Sequence, residues 1–352
     1  MKKNIFLTLV FTMVVSVIFA GGSRDIKNVE PSGKIVIYTS MYEHVIESVK
    51  QNLNRQFPQI EIEFVYGGTE TIQNRINFER SLGKLGCDIL LVAEPAYSQE
   101  LKENGMLHSY MSAERVNLAF DYDSEGYWYP VRISNMVLAY NPERNARNTI
   151  PSSFFDFANN VNVKNAISMR SPLTSGTSMA SIIALRDKYG YEYFNALSRQ
   201  NIHIEYSSDN LITKLESGEY KVIMILEESI LRKRQEGSNQ NGSKLEVIYP
   251  TDGIIMIPST IMIVNDRWSA NRNTAAAEAI SDWFLSEDGQ NTIVDGWMHS
   301  VRTDFPRIPY DSKPTDVIRA GSLPVNWENY FIQKKETQDR FQEYLANRDY
   351  QF

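Results

Sequence analysis

Short apolar segments that give way to small polar turns and then to amphipathic stretches recur along this chain, and that alternation confines it to the α/β class. The pattern predicts a strand over 34–38 with Thr39-Ser40 behind it, then a helix over 43–56 whose Val45, Val49 and Leu53 share one face. Pro58 stops that helix, and Ile60-Glu61-Ile62-Glu63-Phe64 alternates as a half-buried strand does. Gly67-Gly68-Thr69 opens a second helix carrying Ile72, Ile76 and Leu82. A strand over 88–92 and a helix over 96–104, capped by Gly105, complete the unit. Strands and helices joined by short Gly/Ser/Thr turns imply a parallel, helix-covered sheet.

A second unit repeats the design without repeating the sequence. Strands are expected at 166–169, 202–206 and 222–226, with helices through Leu185 and over 211–216 between them. Further strands fall at 245–249 and 260–264, helices at 275–285 and 327–345, and a surface loop at 238–243.

A length of 352 residues gives about two domains. The first 20 residues read as a secretory signal peptide: Lys2-Lys3, an apolar run of about 15 residues, then Ala20-Gly21-Gly22-Ser23. That run is short for a membrane span, which needs about 20 residues. A lipid anchor would need a cysteine near Gly21 or Gly22, and the one cysteine, Cys87, sits in an apolar strand where it reads as a small core residue. Without Lys2 and Lys3 the chain carries 34 Lys+Arg against 43 Asp+Glu, a net charge of −9. An acidic chain with no basic block is a poor partner for nucleic acid or anionic membranes.

Three turns share one construction, a buried strand, small polar residues, then a helix start: Thr39-Ser40, Gly67-Gly68-Thr69, and 171–178. In an open α/β sheet ligands bind beyond the carboxyl ends of the strands, where helix N-termini offer free N–H groups. The third turn has hydroxyls at Ser171, Thr174, Ser175 and Thr177, and Gly176 allows close backbone approach, which suits a phosphate or carboxylate; ordinary N-capping would use the same residues. Asp209, Glu227 and Glu228 follow strands, where carboxylates accept bonds from sugar hydroxyls or ligate a hard metal. Asp209 could equally be an N-cap, and of the two glutamates one is expected to face the cleft and one to be solvated. Arg132 could grip a phosphate bidentately or lie solvated on the surface. His44, His108, His203 and His299 show no metal spacing, and no nucleophile is assembled with a base, so catalysis is not expected.

In order and spacing, Ile35-Val36-Ile37-Tyr38-Thr39-Ser40, Gly67-Gly68-Thr69, Gly126-Tyr127-Trp128, Leu138-Ala139-Tyr140-Asn141, Ser175-Gly176-Thr177, Leu215-Glu216-Ser217-Gly218 and Trp283-Phe284-Leu285-Ser286-Glu287-Asp288-Gly289 resemble bacterial ABC-importer solute-binding proteins of the ferric-ion and sugar-phosphate branch. The resemblance covers about residues 33–305. It implies a two-lobed type II periplasmic-binding-protein fold, with two mixed or parallel sheets and a hinged ligand cleft. The first lobe would comprise 33–132 and 265–352, the second 133–264, with crossings near 131–137 and 258–264. It further implies a monomer without cofactor that serves a membrane permease. For the ligand, Ser40, Tyr42, Gly68, Thr69, Arg132, Ser175, Gly176, Thr177, Asp209, Glu227 and Glu228 fit a phosphorylated sugar or similar organophosphate. Ferric-binding members carry adjacent tyrosines where Glu227-Glu228-Ser229 stands; Tyr42 and Glu70 keep an iron(III) alternative open.

Overall fold

The computed structural model describes residues 30–237, 243–303 and 305–346. The leader at 1–20 and most of the loop expected at 238–243 lie outside the described residues. The chain runs through β1 (Gly33–Thr39), α1 (Glu43–Gln56), β2 (Ile60–Tyr66), α2 (Thr69–Ser81), β3 (Ile89–Ala93), α3 (Pro95–Glu103) and the long β4 (Trp128–Tyr140). It continues through α4 (Phe154–Asn159), β5 (Ile167–Arg170), α5 (Gly176–Tyr189), α6 (Glu192–Arg199), β6 (His203–Glu205), α7 (Ser208–Ser217), β7 (Val222–Leu226) and α8 (Glu227–Gly237). The remaining elements are β8 (Glu246–Ile248), β9 (Ile254–Ile263), α9 (Thr274–Leu285), α10 (Glu287–Asp295), α11 (Thr315–Ala320), β10 (Ser322–Leu323) and α12 (Trp327–Ala346). The fold is of the α/β class, as the alternation of segments requires.

These strands hydrogen-bond in the order β2-β1-β3-β9-β4-β7-β5-β6, with β10 beside β9 and β8 beside β4. Where two sheets were expected, bonding is continuous, because β4 and β9 pair antiparallel from Trp128↔Met262 to Met136↔Ile255. The end of β9 also pairs with β3, and the end of β4 with β7. Two parallel flanks, β2-β1-β3 and β7-β5-β6, are thus joined by two shared central strands, and the crossings expected near 131–137 and 258–264 fall in them. A register shift between Pro130 and Arg132 bulges β4 at this junction, where a bulge re-aims the next side chain.

Each flank is covered on both faces by its own apolar clusters. Ile35, Ile37, Ile89 and Leu91 pack under Val45, Val49, Leu53, Ile280 and Phe284 from α1 and α9, while Tyr38, Leu90 and Val92 pack under Ile72, Ile76 and Leu101 on the other face. Met169, Val222 and Met224 pack with Met179, Ile183, Phe194 and Leu197. The last helix departs from the expectation that 265–352 returns wholly to the first flank. Tyr330 and Phe341 of α12 join the cluster of Phe194, Met169 and Val222, so α12 lies on α5 and α6 as well as on α3.

Candidate functional site

The carboxyl ends of both flanks converge on one cleft. The β2–α2 and β5–α5 turns touch there: a Cβ on Gly176 would lie 2.7 Å from Thr69 Cβ and 2.9 Å from the Ala93 carbonyl oxygen, so only glycine permits the approach. Ser175 caps α5 through Oγ, which accepts from the Ser178 amide at 3.3 Å and lies 3.0 Å from Thr177 Oγ1. Ser40 Oγ accepts from the Ala93 amide at 3.2 Å, fixing the turn after β1 to the end of β3.

The cleft holds two adjacent spaces. A narrow pocket of about 30 Å³ is lined by Ser40, Gly68, Thr69, Arg132, Ser134, Ser175, Gly176 and Thr177, and shares Tyr42, Tyr66 and Arg170 with a chamber of about 510 Å³. Among other residues the chamber is lined by His44, Tyr206, Ser208, Asp209, Glu228, Arg232 and Lys233.

Two guanidiniums define the narrow pocket. Arg132 is 3% exposed, with Nη1 2.8 Å from Met298 Sδ, and burial pulls its pKa down while Glu228 opposes the shift. Arg170, at the end of β5, donates from Nη2 to the Tyr206 carbonyl at 3.3 Å. Nε of each arginine is buried without a hydrogen-bond acceptor among the described residues. A buried donor left open costs about 1–3 kcal/mol, more when charged, so an acceptor reaching either Nε would be favourable.

Adjacent carboxylates at the end of β7 have opposite fates. Glu228 accepts from Ser134 Oγ at 2.8 Å, and burial pushes its pKa up to about 7 against the pull of Arg132. Burial would likewise raise Glu227, but bonds from His299 Nε2 (3.0 Å), Asn135 Nδ2 (2.7 Å) and Ser312 Oγ (2.5 Å) outweigh it and hold that carboxyl below its ordinary range. Tyr249 OH donates to it as well. The expectation that one glutamate is solvated fails: both are buried, because β7 delivers them into the first turn of α8 beneath β4. Glu227 lines neither space. Glu70 is also away from both, 2.8 Å from Lys334 Nζ of α12. Arg132 is a buried cleft residue and not a solvated one. Asp209 lines the chamber but its side chain is 78% exposed and 3.5 Å from Arg232. Its N-cap alternative belongs instead to Ser207, which accepts from the Asp209 amide at 3.2 Å. Sequence reasoning did not pick out Arg170, Ser134, Tyr66, Tyr206 or Arg232. Arg170 had one usable signal, its place between a buried strand and the hydroxyl-rich turn. Among the described residues no group of three or more His, Cys, Asp and Glu side chains is placed to hold a metal ion.

Residues 87–328, well over half of the chain, match the family model for bacterial extracellular solute-binding proteins. The chain belongs to that family. Its structure is similar to the periplasmic binding protein AfuA of Actinobacillus pleuropneumoniae with fructose-6-phosphate bound (TM-score 0.76, 19% identity, covering 89% of this chain and 99% of that one). It is equally similar to iron-bound HitA of Pseudomonas aeruginosa (0.76, 16%, 88% and 99%) and resembles a ferric binding protein of Campylobacter jejuni (0.70, 17%, 88% and 99%). No curated protein matches the sequence. This solute-binding protein therefore shares the type II periplasmic-binding fold with neighbours of two ligand classes. Family and neighbours are binding proteins. No helix among the described residues is long and apolar enough to cross a membrane.

Proposed function

We propose that this protein captures a phosphorylated sugar or similar organophosphate in the cleft and delivers it to the permease of an ABC importer. One observation carries the reading: two arginines flank a pocket sized for a small anionic group, each with a buried Nε lacking an acceptor. Ser40, Gly68, Thr69, Ser175, Gly176 and Thr177 would surround the phosphate with hydroxyls and the free N–H groups of the α2 and α5 starts. Tyr42, Asp209 and Glu228 would meet the organic body. Glu227 positions the end of β7 and does not touch ligand.

For ferric iron the same cleft is a poor host. Fe³⁺ wants anionic oxygen, the guanidiniums repel it, and Glu70 of the iron alternative is occupied by Lys334. On this reading the leader at 1–20 exports the chain, the flanks joined by β4 and β9 act as lobes closing about those strands, and the protein is a monomer without catalytic activity.

Isothermal titration calorimetry with fructose 6-phosphate, fructose, inorganic phosphate and Fe³⁺ tests the proposal. The phosphate ester is expected to bind, fructose not at all, and Arg132→Met and Arg170→Met to weaken the ester by about 100-fold each, the size of a lost charge-assisted bond. Binding of Fe³⁺ alone, or ester binding indifferent to both arginines, overturns it.

A further inference from the structure

The chamber beyond the narrow pocket has charge of its own. At about 510 Å³ it lies within the roughly 300–1,000 Å³ of whole small-molecule sites. Arg232 and Lys233 line it and do not line the narrow pocket. Arg232 is held 19% exposed, whereas the carboxylates against it, Asp209 at 3.5 Å and Glu236 at 3.1 Å, are 78% and 51% exposed. The cation is thus the fixed, desolvated member, and its partners can turn to water at little cost. Lys233 has no hydrogen bond or ion pair among the described residues. Arg170 stands where chamber and pocket meet, and it too has no carboxylate partner among the described residues. The opposing carboxylates of the chamber are Glu43 and Asp209, both exposed and screened by water, and Glu228, whose pKa burial pushes up to about 7.

Resting on the organophosphate reading, we infer that the ligand carries a second anionic group, which Arg232 and Lys233 receive in the chamber while the first phosphate sits between Arg132 and Arg170. A bisphosphate of a sugar or nucleoside has this form. Tyr66 ends β2 and Tyr206 directly follows β6; they remain 44% and 65% exposed and line the chamber that the body between the two charges would fill.

The test is calorimetry on the purified chain with two matched pairs, fructose 6-phosphate against fructose 1,6-bisphosphate and adenosine 5′-phosphate against adenosine 3′,5′-bisphosphate. At least one bisphosphate is expected to bind about tenfold or more tighter than its monophosphate, about 1.4 kcal/mol. The double variant R232Q/K233Q should cost that bisphosphate about tenfold more than it costs the monophosphate. Monophosphates binding as tightly as both bisphosphates, or a variant that weakens both kinds equally, overturns the second-anion inference and leaves the organophosphate reading standing. Failure of all four esters overturns that reading and this inference together.

Discussion

The two flanks of the sheet are topological copies that finish differently. One runs β2-β1-β3 against β9, the other β6-β5-β7 against β4, so β3 and β7 hold the same place and both end in carboxylates. Glu94, after β3, is fully buried, and it strains the backbone at φ 149°. Lys334 of α12 reaches it at 3.1 Å, and Gln73 Nε2 donates to it at 2.8 Å. Glu228, after β7, is buried beside Arg132 and open to the chamber. One strand end is closed off by the last helix; the other is left facing the cleft. Symmetry of topology therefore fixed where acidic residues gather, while the tail of the chain decided which of them remained available.

The sharpest way to break this comparison is to remove the cation from the closed end. Lys334→Met leaves Glu94 and Glu70 buried with no positive partner, and stability in urea should fall by about 3–5 kcal/mol, the cost of breaking one side of a buried pair. Adding Glu94→Gln should restore part of it. If the single variant unfolds like the wild type, α12 does not hold the β3 end.

At the open end the adjacent glutamates should separate. Glu227→Gln loses charge-assisted bonds to His299, Asn135 and Ser312 and should cost about 2–3 kcal/mol in stability, with the tertiary structure around α11 loosened. Since its carboxyl is held low, its contribution is present above the unfolded value and is lost as pH falls through the folded one. Glu228 runs the other way. Its folded pKa of about 7 lies above the 4.5 of an unperturbed glutamate, so its contribution is full below about 4.5 and is lost as pH rises through about 7. The same proton affects binding. Between pH 6 and 8 Glu228 ionises beside Arg132 and opposes an incoming anion. Ester affinity of the wild type relative to Glu228→Gln should therefore decline across that range; the ligand titrates identically in both proteins and cancels in the ratio. A flat ratio removes Glu228 from the site.

Much of this was legible before the structure. Strand–turn–helix alternation located both flanks, and the three polar turns do converge on one pocket, because small residues at strand ends serve close backbone approach wherever the chain folds. Arginines and lysines were harder. Arg170 ends a strand as any surface arginine does, and its meaning comes from Arg132 reaching the same pocket from β4, 38 positions earlier in the numbering. Lys334 carries no local signal beyond its place in the helix expected over 327–345. Its burial depends on where α12 docks, a long-range contact that local periodicity does not encode.

The finest distinction lies within the cleft. Thr177, in the narrow pocket at the start of α5, can give its hydroxyl to a bound phosphate, so Thr177→Ala should weaken ester binding by about 1–2 kcal/mol. Asp209, four-fifths exposed at the chamber wall, competes with water for any sugar hydroxyl and shares Arg232 with Glu236. Asp209→Ala should therefore cost a monophosphate ester less than about 0.5 kcal/mol. With a bisphosphate the sign should reverse, because removing Asp209 frees Arg232 for the second anion. Calorimetry on this one variant with both esters reads the two changes side by side. If Asp209→Ala weakens the monophosphate as much as Thr177→Ala does, the chamber wall and the narrow pocket grip the ligand equally, and the contrast between them fails.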